Sequence, residues 1–224
     1  MLTVPTDHGA LMDKVYRHQR YIYDFTRRFY LAGRDELIGN LGIRPGESVV
    51  EVGCGTGRNL VKMARRYPLA TIFGVDASGE MLKSAQQAIE RANMTGRIQL
   101  VHGLAEDLTP EMFAGCARFD HVVFSYSLSM IPEWKQALKR AYRASPDGKI
   151  HIADFGGLIG AWLPFAWLMR LWLNLFHVTP REEILQNLRI CSETMEPGTV
   201  PRILSAHYAF IWQGPSKTVQ SLAL

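Results

Sequence analysis

Residues 49–60 read VVEVGCGTGRNL, and this stretch decides the fold of the chain. An apolar, β-branched run passes through Glu51 and meets glycines at positions 53, 55 and 57, after which a helix-forming sequence begins. Glycine has no side chain, so the backbone can turn tightly there and approach a ligand closely. A strand, a glycine turn and a helix in this order predict the nucleotide-binding turn of a doubly wound α/β sheet.

Strand-like and helix-like segments alternate on the carboxyl-terminal side of this turn. The predicted strands read SVVEV, TIFGV, IQLVH, FDHVVFS and GKIHIADF, and the predicted helices run from about residue 58 to 66, 79 to 92 and 131 to 144. Such alternation is typical of βαβ units. We therefore predict a Rossmann-like α/β fold whose mainly parallel sheet is covered by helices on both faces.

The remaining segments are interpreted as additions to a single domain, since 224 residues are short for two. Apolar residues at helical spacing predict an N-terminal helix that Gly33 ends, and RDELIGNLGI predicts a short second helix. Near the C-terminus REEILQNLRI is typical of a helix, RILSAHYAFIWQG of one closing strand and PSKTVQSLAL of a loosely ordered tail. The predicted parts are a helical cap (1–44), a cofactor-binding core (45–155), an apolar insert (156–180) and a C-terminal helix and strand (181–224).

The composition is that of an ordinary globular protein with an excess of basic residues. Hydrophobic residues make up 47% of the chain, the formal net charge is +4 and the pI is about 9.0. This charge favours an anionic partner without identifying it. Cys54, Cys116 and Cys191 are scattered and have no CxxC spacing, so we predict neither disulfides nor a metal site. The N-terminal sequence has no secretory signal pattern, and the expected location is the cytoplasm.

The spacing of the glycines distinguishes between cofactors. A dinucleotide site has the pattern GxGxxG, whereas this turn is GxGxG and carries the carboxylate of Glu51 two residues before its first glycine. That carboxylate is badly placed for a pyrophosphate, but it suits the cationic S-adenosylmethionine, which has no phosphate. Asp76 ends the next strand, 19 residues beyond Gly57, where a carboxylate accepts hydrogen bonds from ribose hydroxyls.

In these motifs the chain resembles the class I S-adenosylmethionine-dependent methyltransferases, whose hallmark of an acidic residue, one spacer and GxGxG is EVGCGTG here. FGVDAS, HGLAEDL and FDHVVFSYSLSMIPEW are similar to the family's second-strand end, adenine loop and fourth strand. The resemblance implies the class I methyltransferase fold, with an N-terminal helical extension and an apolar helical insert after the fifth strand. It also implies S-adenosyl-L-methionine as cofactor, bound by Tyr16, Arg34, Glu51, Gly53, Gly55, Gly57, Asp76, Ala77, Met81, Ala105, Glu106 and Ser125.

An apolar stretch at residues 156–178, GGLIGAWLPFAWLMRLWLNLFHV, follows the predicted fifth strand. Pro164 and Arg170 argue against a membrane span. Its three tryptophans, at five-residue steps, favour a segment that lies on a membrane surface or lines a channel for acyl chains. A buried hairpin or a contact in a homo-oligomer is the alternative. With a membrane-surface role, the location becomes cytoplasmic and peripheral to the inner membrane.

The N-terminal stretch DKVYRHQRYIYDFTRRFYLAGRDELI and the segment GKIHIADFG closely resemble bacterial S-adenosylmethionine:diacylglycerylhomoserine N-methyltransferases. This resemblance implies three successive methylations of the lipid amine of diacylglycerylhomoserine, giving the betaine lipid DGTS. An ammonium has no lone pair, so it must lose a proton before each transfer. His18, Tyr23 and Tyr126 are the candidate catalytic residues, for positioning or deprotonating the amine.

Tyr16, Tyr23 and Tyr30 recur every seven residues and share one helix face. They either pack in the core or close over a quaternary ammonium, a cation that aromatic faces bind well.

Four other functions compete with this hypothesis. The nearest is a methyltransferase of the same fold acting on another hydrophobic acceptor, a quinone precursor or a phosphatidylethanolamine-type amine. A non-catalytic membrane adaptor that binds the cofactor is a second. The GxGxG spacing and Glu51 disfavour a nicotinamide oxidoreductase. The loop SYSLSMIP replaces the (D/N)PPY-like loop of nucleic-acid base methyltransferases, so no nucleic-acid partner is expected.

Overall fold

The computed structural model describes residues 31–156, 182–195, 200–204 and 209–220, together with Trp167 and Leu171. The predicted N-terminal helix with its tyrosines and most of the apolar insert lie outside these residues. No helix within the described ranges is long and apolar enough to cross a bilayer.

A seven-stranded sheet in the order β3-β2-β1-β4-β5-β7-β6 forms the centre of the fold. The first five strands are parallel, and β7 runs antiparallel to both β5 and β6. The mainly parallel sheet expected from the βαβ pattern is confirmed. The strands are β1 Ser48–Val52, β2 Thr71–Asp76, β3 Ile98–His102, β4 His121–Ser125, β5 Lys149–Phe155, β6 Arg202–Leu204 and β7 Ala209–Pro215.

Helices cover both faces of this sheet, and each face has its own apolar core. Leu37, Leu60 and Met81 represent the helices α1 to α3 in one core, and Leu138, Leu188 and Val219 represent α4 to α6 in the other. The helices are α1 Arg34–Gly39, α2 Arg58–Arg66, α3 Gly79–Arg91, α4 Trp134–Ala144, α5 Glu182–Met195 and α6 Ser216–Gln220, with 3₁₀ turns at Ala105–Asp107 and Pro110–Met112.

Three features of the secondary structure differ from the sequence predictions. Helix α4 begins at Trp134 rather than near Ile131, because a residue that precedes a proline, here Pro132, is disfavoured in helical backbone. The prediction of a single closing strand is wrong, because the structure has two strands, β6 and β7, in this segment. The prediction of a loosely ordered tail is wrong for Ser216–Gln220, which form helix α6 and bury Val219 fully against the sheet.

A buried histidine pair lies toward the amino-terminal ends of the strands, away from the glycine turn. His121 Nε2 lies 3.0 Å from Glu47 Oε2, and His121 Nδ1 lies 2.9 Å from His151 Nε2. Burial lowers the pKa of both imidazoles, and that of His151 most strongly. The fold therefore holds both rings in the neutral form near neutral pH.

We expect the folded state to lose stability as the pH drops below the ordinary histidine pKa of about 6.5. The pKa values of the two rings are lower in the folded chain than in the unfolded chain. The unfolded chain therefore binds more protons there, and the free energy of unfolding decreases as the pH falls. The thermal midpoint should be lower at about pH 5.5 than at about pH 7.5, and the difference between the two should be smaller in His151→Gln.

Other groups titrate alike in both proteins, so the difference in slope reports on the buried ring. The matched control is His102→Gln, which replaces an exposed histidine and should keep the wild-type slope. Equal slopes for the wild type and His151→Gln would contradict this account.

Candidate methyl-donor site

The glycine turn between β1 and α2 depends on glycine for two separate reasons. Gly53, Gly55 and Gly57 have φ angles of 73°, 54° and 74°, in the left-handed region that other residues rarely adopt. A Cβ on Gly53 would lie 2.7 Å from Ser127 Cβ, and one on Gly57 would lie 2.9 Å from Ala85 Cβ. The turn therefore packs directly against α3 and the loop after β4.

The carboxylate of Asp76 fixes the turn from the end of the neighbouring strand. The Gly55 N–H donates to Asp76 Oδ2 at 2.7 Å, and the Ser78 N–H donates to Oδ1 at 2.9 Å. Ser78 in turn caps α3 by accepting a hydrogen bond from the Met81 N–H. The residue predicted to hold a ribose thus also determines the shape of the loop beside it.

A cleft of about 650 Å³, measured to its open mouth, lies at the carboxyl ends of the central strands. This is the crevice in which doubly wound sheets bind nucleotides, because β1 lies where the strand order reverses. The walls are mostly apolar, and Asp76 and Glu106 bring carboxylates to them. The lining residues are Gly53, Gly55, Val75, Asp76, Ala77, Gly103, Leu104, Ala105, Glu106, Tyr126, Ser127, Met130 and Ile131.

A smaller cavity of about 280 Å³ lies on the other side of Gly53. Its chemistry is ionic, because the buried carboxylate of Glu51 and the basic side chains of Arg34 and Arg58 line it together with Asn59. Asn59 Nδ2 donates to Glu51 Oε1 at 2.6 Å. One cavity thus suits a nucleoside, and the other suits a group that carries both an ammonium and a carboxylate.

These two cavities fit S-adenosylmethionine. Asp76 would hold the ribose hydroxyls, Ala105 and Glu106 would flank the adenine, and the amino-acid end would lie between Glu51 and Arg34. Gly53 lines both cavities, and Ser127 fills the position that a Cβ of residue 53 would take. Cys54 is buried inside the turn, where burial raises the pKa of its thiol, so it remains neutral.

The loop after β4 forms one wall of the cleft and is constrained at Tyr126. This residue has a φ of 57°, and its N–H donates to the Ala153 carbonyl at 2.7 Å. Its hydroxyl donates to the Ala32 carbonyl at 2.6 Å, and its ring meets Phe155 edge-on. A non-glycine residue in left-handed backbone is strained, so these contacts hold the loop in place.

Asp154, near the end of β5, holds the same loop from behind. It is buried, and its carboxylate accepts the N–H of Ser129 at 3.1 Å and of Phe155 at 2.8 Å. Burial raises the pKa of Asp154 to about 6, although the hydrogen bonds from Ser129 and Phe155 oppose the rise. We did not predict this residue, but an acid near the carboxyl end of an apolar strand was a signal available in the sequence.

The predicted donor-site residues fall into three groups. Most line one of the two cavities: Arg34, Glu51, Gly53, Gly55, Asp76, Ala77, Ala105, Glu106 and Ser125. Gly57 caps α2, and Met81 is buried in the first turn of α3 rather than among the cleft-lining residues. Tyr16 lies outside the described residues, as do the catalytic candidates His18 and Tyr23. Tyr126 lines the cleft, and its catalytic role stays a prediction.

Comparison with known proteins fits this geometry. Residues 49–148 match the family model described as a methyltransferase domain. The predicted cofactor, S-adenosylmethionine, is confirmed. The fold is confirmed as Rossmann-like by magnesium protoporphyrin IX methyltransferase from Synechocystis PCC 6803, a structure with S-adenosylhomocysteine bound. The alignment has a TM-score of 0.62 at 17% sequence identity, and it covers 91% of this chain and 97% of the Synechocystis chain.

Curated relatives of the chain carry quinone-related names. Demethylmenaquinone methyltransferase of Geobacillus sp. (strain WCH70) is 26% identical over 144 residues, which are 62% of this chain and 59% of the relative. The ubiquinone/menaquinone biosynthesis C-methyltransferase UbiE of Geotalea daltonii is 27% identical over 157 residues, which are 67% and 65%. The chain thus spans less than two thirds of the length of either relative.

Replacing Gly53 with Ala should abolish tight binding of the donor. The Cβ forces a left-handed alanine and a clash with Ser127, so the dissociation constant for S-adenosylhomocysteine should rise at least about tenfold in calorimetry. Gly46→Ala is the matched control, because Gly46 also has positive φ, at 85°, but open space around its Cβ position. Equal affinities of Gly53→Ala and the control would contradict the packing argument.

Asp154→Asn should separate stability from donor affinity. The variant removes an ionised carboxylate that burial disfavours at neutral pH, so the thermal midpoint should hold or rise. One loop N–H loses its charged acceptor, so affinity for S-adenosylhomocysteine should fall about tenfold.

The affinity of the wild type should also weaken as the pH falls through about 6, the pKa of Asp154, because protonation removes an acceptor. The variant should lack this step. A parallel loss of stability and affinity, or a retained pH step, would show that Asp154 does not position the loop.

Proposed function

We propose that the chain is an S-adenosylmethionine-dependent methyltransferase that acts on a hydrophobic acceptor, a quinone precursor methylated on carbon. The main support is a donor site divided into a nucleoside cleft and an ionic cavity, within a domain whose curated relatives have quinone-related names. Those names belong to the relatives, and their extension to this chain is the proposal.

The residues of the chain account for most of what such a transfer needs. S-adenosylmethionine supplies an electrophilic methyl group when bound. Asp76 and the glycine turn would fix the nucleoside end, and Glu51 with Arg34 would fix the amino-acid end, so the donor is oriented at both ends. The apolar walls to which Val75 and Leu104 contribute would help to keep water from the reacting atoms.

An aromatic carbon acceptor must be activated by loss of a proton from a ring hydroxyl, and the methylated carbon then loses its own proton. In the described part of the site, the Tyr126 hydroxyl already donates to Ala32, so it would act as a positioning group. His18 and Tyr23 remain the proposed candidates for the base.

A second candidate acceptor is the amine of diacylglycerylhomoserine, as the similarity of the N-terminal stretch to betaine-lipid N-methyltransferases implies. The tyrosines of that stretch, at seven-residue spacing, would suit an amine that becomes a quaternary ammonium. The curated relatives above favour carbon methylation instead.

Both acceptors are hydrophobic, and we propose that residues 156–178 bring the enzyme to the cytoplasmic surface of the inner membrane. Trp167 and Leu171 are helical, one turn apart, and 68% and 47% exposed. An exposed tryptophan and leucine on one helix face suit the interface between headgroups and acyl chains. A contact in a homo-oligomer would use the same residues.

Competing acceptors in one methylation assay test this proposal. Purified protein with radiolabelled donor should methylate a demethylmenaquinol-type substrate in neutral detergent, and label on diacylglycerylhomoserine or phosphatidylethanolamine should be at background. Glu51→Gln keeps the shape of the buried side chain but removes its charge, and it should lower the rate at least about tenfold. Label on diacylglycerylhomoserine alone would replace the quinone proposal with the lipid amine, and donor binding without any turnover would support the adaptor.

A further inference from the structure

A wide groove between α2 and α3 carries a concentration of positive charge. We call it the basic groove. It measures about 1610 Å³ to its open mouth, and none of its lining residues is acidic. Its basic side chains are Arg58, Lys62 and Arg65 from α2 and Arg91 from α3. The other lining residues are uncharged, and the groove is open to solvent.

The two helices separate their charges with respect to this groove. Helix α2 has four basic residues and no acidic one among its nine positions. On α3, Glu80 pairs with Lys83 and Glu90 accepts a hydrogen bond from Gln86, and none of these four lines the groove. Like charges three and four residues apart destabilise a helix, so this arrangement has an energetic cost that an anionic partner would relieve.

A carboxylate of the chain itself, that of Asp35, offsets part of the positive charge of the groove. Asp35 accepts hydrogen bonds from Arg58 at 2.8 Å and from Lys62 at 3.0 Å, and Arg58 holds the pKa of Asp35 well below its ordinary value. Arg65 and Arg91 form no ion pair within the ranges that the structure describes, and both are exposed. They are the two groove cations that remain available to an external anion.

We infer that the basic groove binds the phosphate groups of an anionic membrane surface. The choice of a membrane rests on the proposed function, because a hydrophobic acceptor resides there. Thr56 and Arg58 line both the groove and the ionic cavity, so phosphates held in the groove lie beside the methyl-donor site. Stable attachment of a peripheral protein needs two weak signals; the groove would supply the electrostatic one, and the proposed apolar contact of residues 156–178 the other.

Vesicle flotation with charge-reversal variants tests this inference. Wild-type protein should float with vesicles of phosphatidylcholine and phosphatidylglycerol, and added salt should release it. Each basic residue near an anionic surface contributes a factor of about five to the partition constant, so Arg65→Glu combined with Arg91→Glu should weaken binding at least about 25-fold.

Arg143→Glu is the matched control, because Arg143 is exposed in the last turn of α4, as Arg65 and Arg91 are in the last turns of their helices. Its binding should stay within about twofold of the wild type, since it lies on the other face of the sheet. Unchanged thermal midpoints and S-adenosylhomocysteine affinity show that the double variant is folded.

Three results would overturn the inference. The double variant could bind anionic vesicles as well as the wild type does. The groove could instead bind duplex DNA or RNA, with vesicle binding independent of Arg65 and Arg91. Sedimentation velocity could show a dimer that the double variant abolishes, which would make a second copy the partner.

The methylation assay separates this inference from the proposed function. In neutral detergent the double variant should methylate the quinol as fast as the wild type, and its rate should fall only when the quinol is embedded in anionic vesicles. If no acceptor is methylated but flotation still depends on Arg65 and Arg91, the proposed function fails and the membrane site stands. If the quinol is methylated and flotation is independent of both arginines, the reverse holds.

Discussion

The hydrogen bond from the Gly55 N–H to the carboxylate of Asp76 is the side-chain contact that fixes the turn on which the donor site depends, and backbone bonds from Gly53 and Cys54 to Val75 support it. It links the loop after β1 to the end of β2, and the chain passes from there through Gly57 into α2. The same carboxylate faces the cleft, so the group that shapes the turn is also the group available to a ribose. Loss of Asp76 would therefore affect architecture and binding together.

Much of the fold could be predicted because the relevant signals are local. The apolar run before Gly53, the spacing of the glycines and the acid at Asp76 each depend on a few adjacent residues, and the structure has the corresponding strand, turn and cleft. Helix α6 was missed because its sequence is short and polar. Its Ser216 and Thr218 are nevertheless buried, so its position depends on tertiary packing that no local pattern records.

The loop after β4 shows where prediction from sequence ends. Ser127 and Met130 line the cleft because Tyr126 and Asp154 hold this loop through contacts with β5 and with Ala32. Those contacts join residues far apart in the chain, and a single sequence carries no record of them. The methyl acceptor is harder still to predict from the sequence, because the cofactor turn is common to methyltransferases with unrelated substrates. The quinone-related names of the relatives favour the alternative acceptor, a quinone precursor, over the lipid amine.

The hydrogen bond from Tyr126 to Ala32 spans 94 residues of sequence and joins the start of the described chain to the cleft wall. Its acceptor is a backbone carbonyl, so the link does not depend on which side chain occupies position 32. Linkage of this kind is reciprocal: an interaction that stabilises the position of Ala32 also stabilises the cleft wall, and the converse holds by the same free energy. The side chain at position 32 can therefore change while this link between the chain at Ala32 and the wall of the cleft is kept.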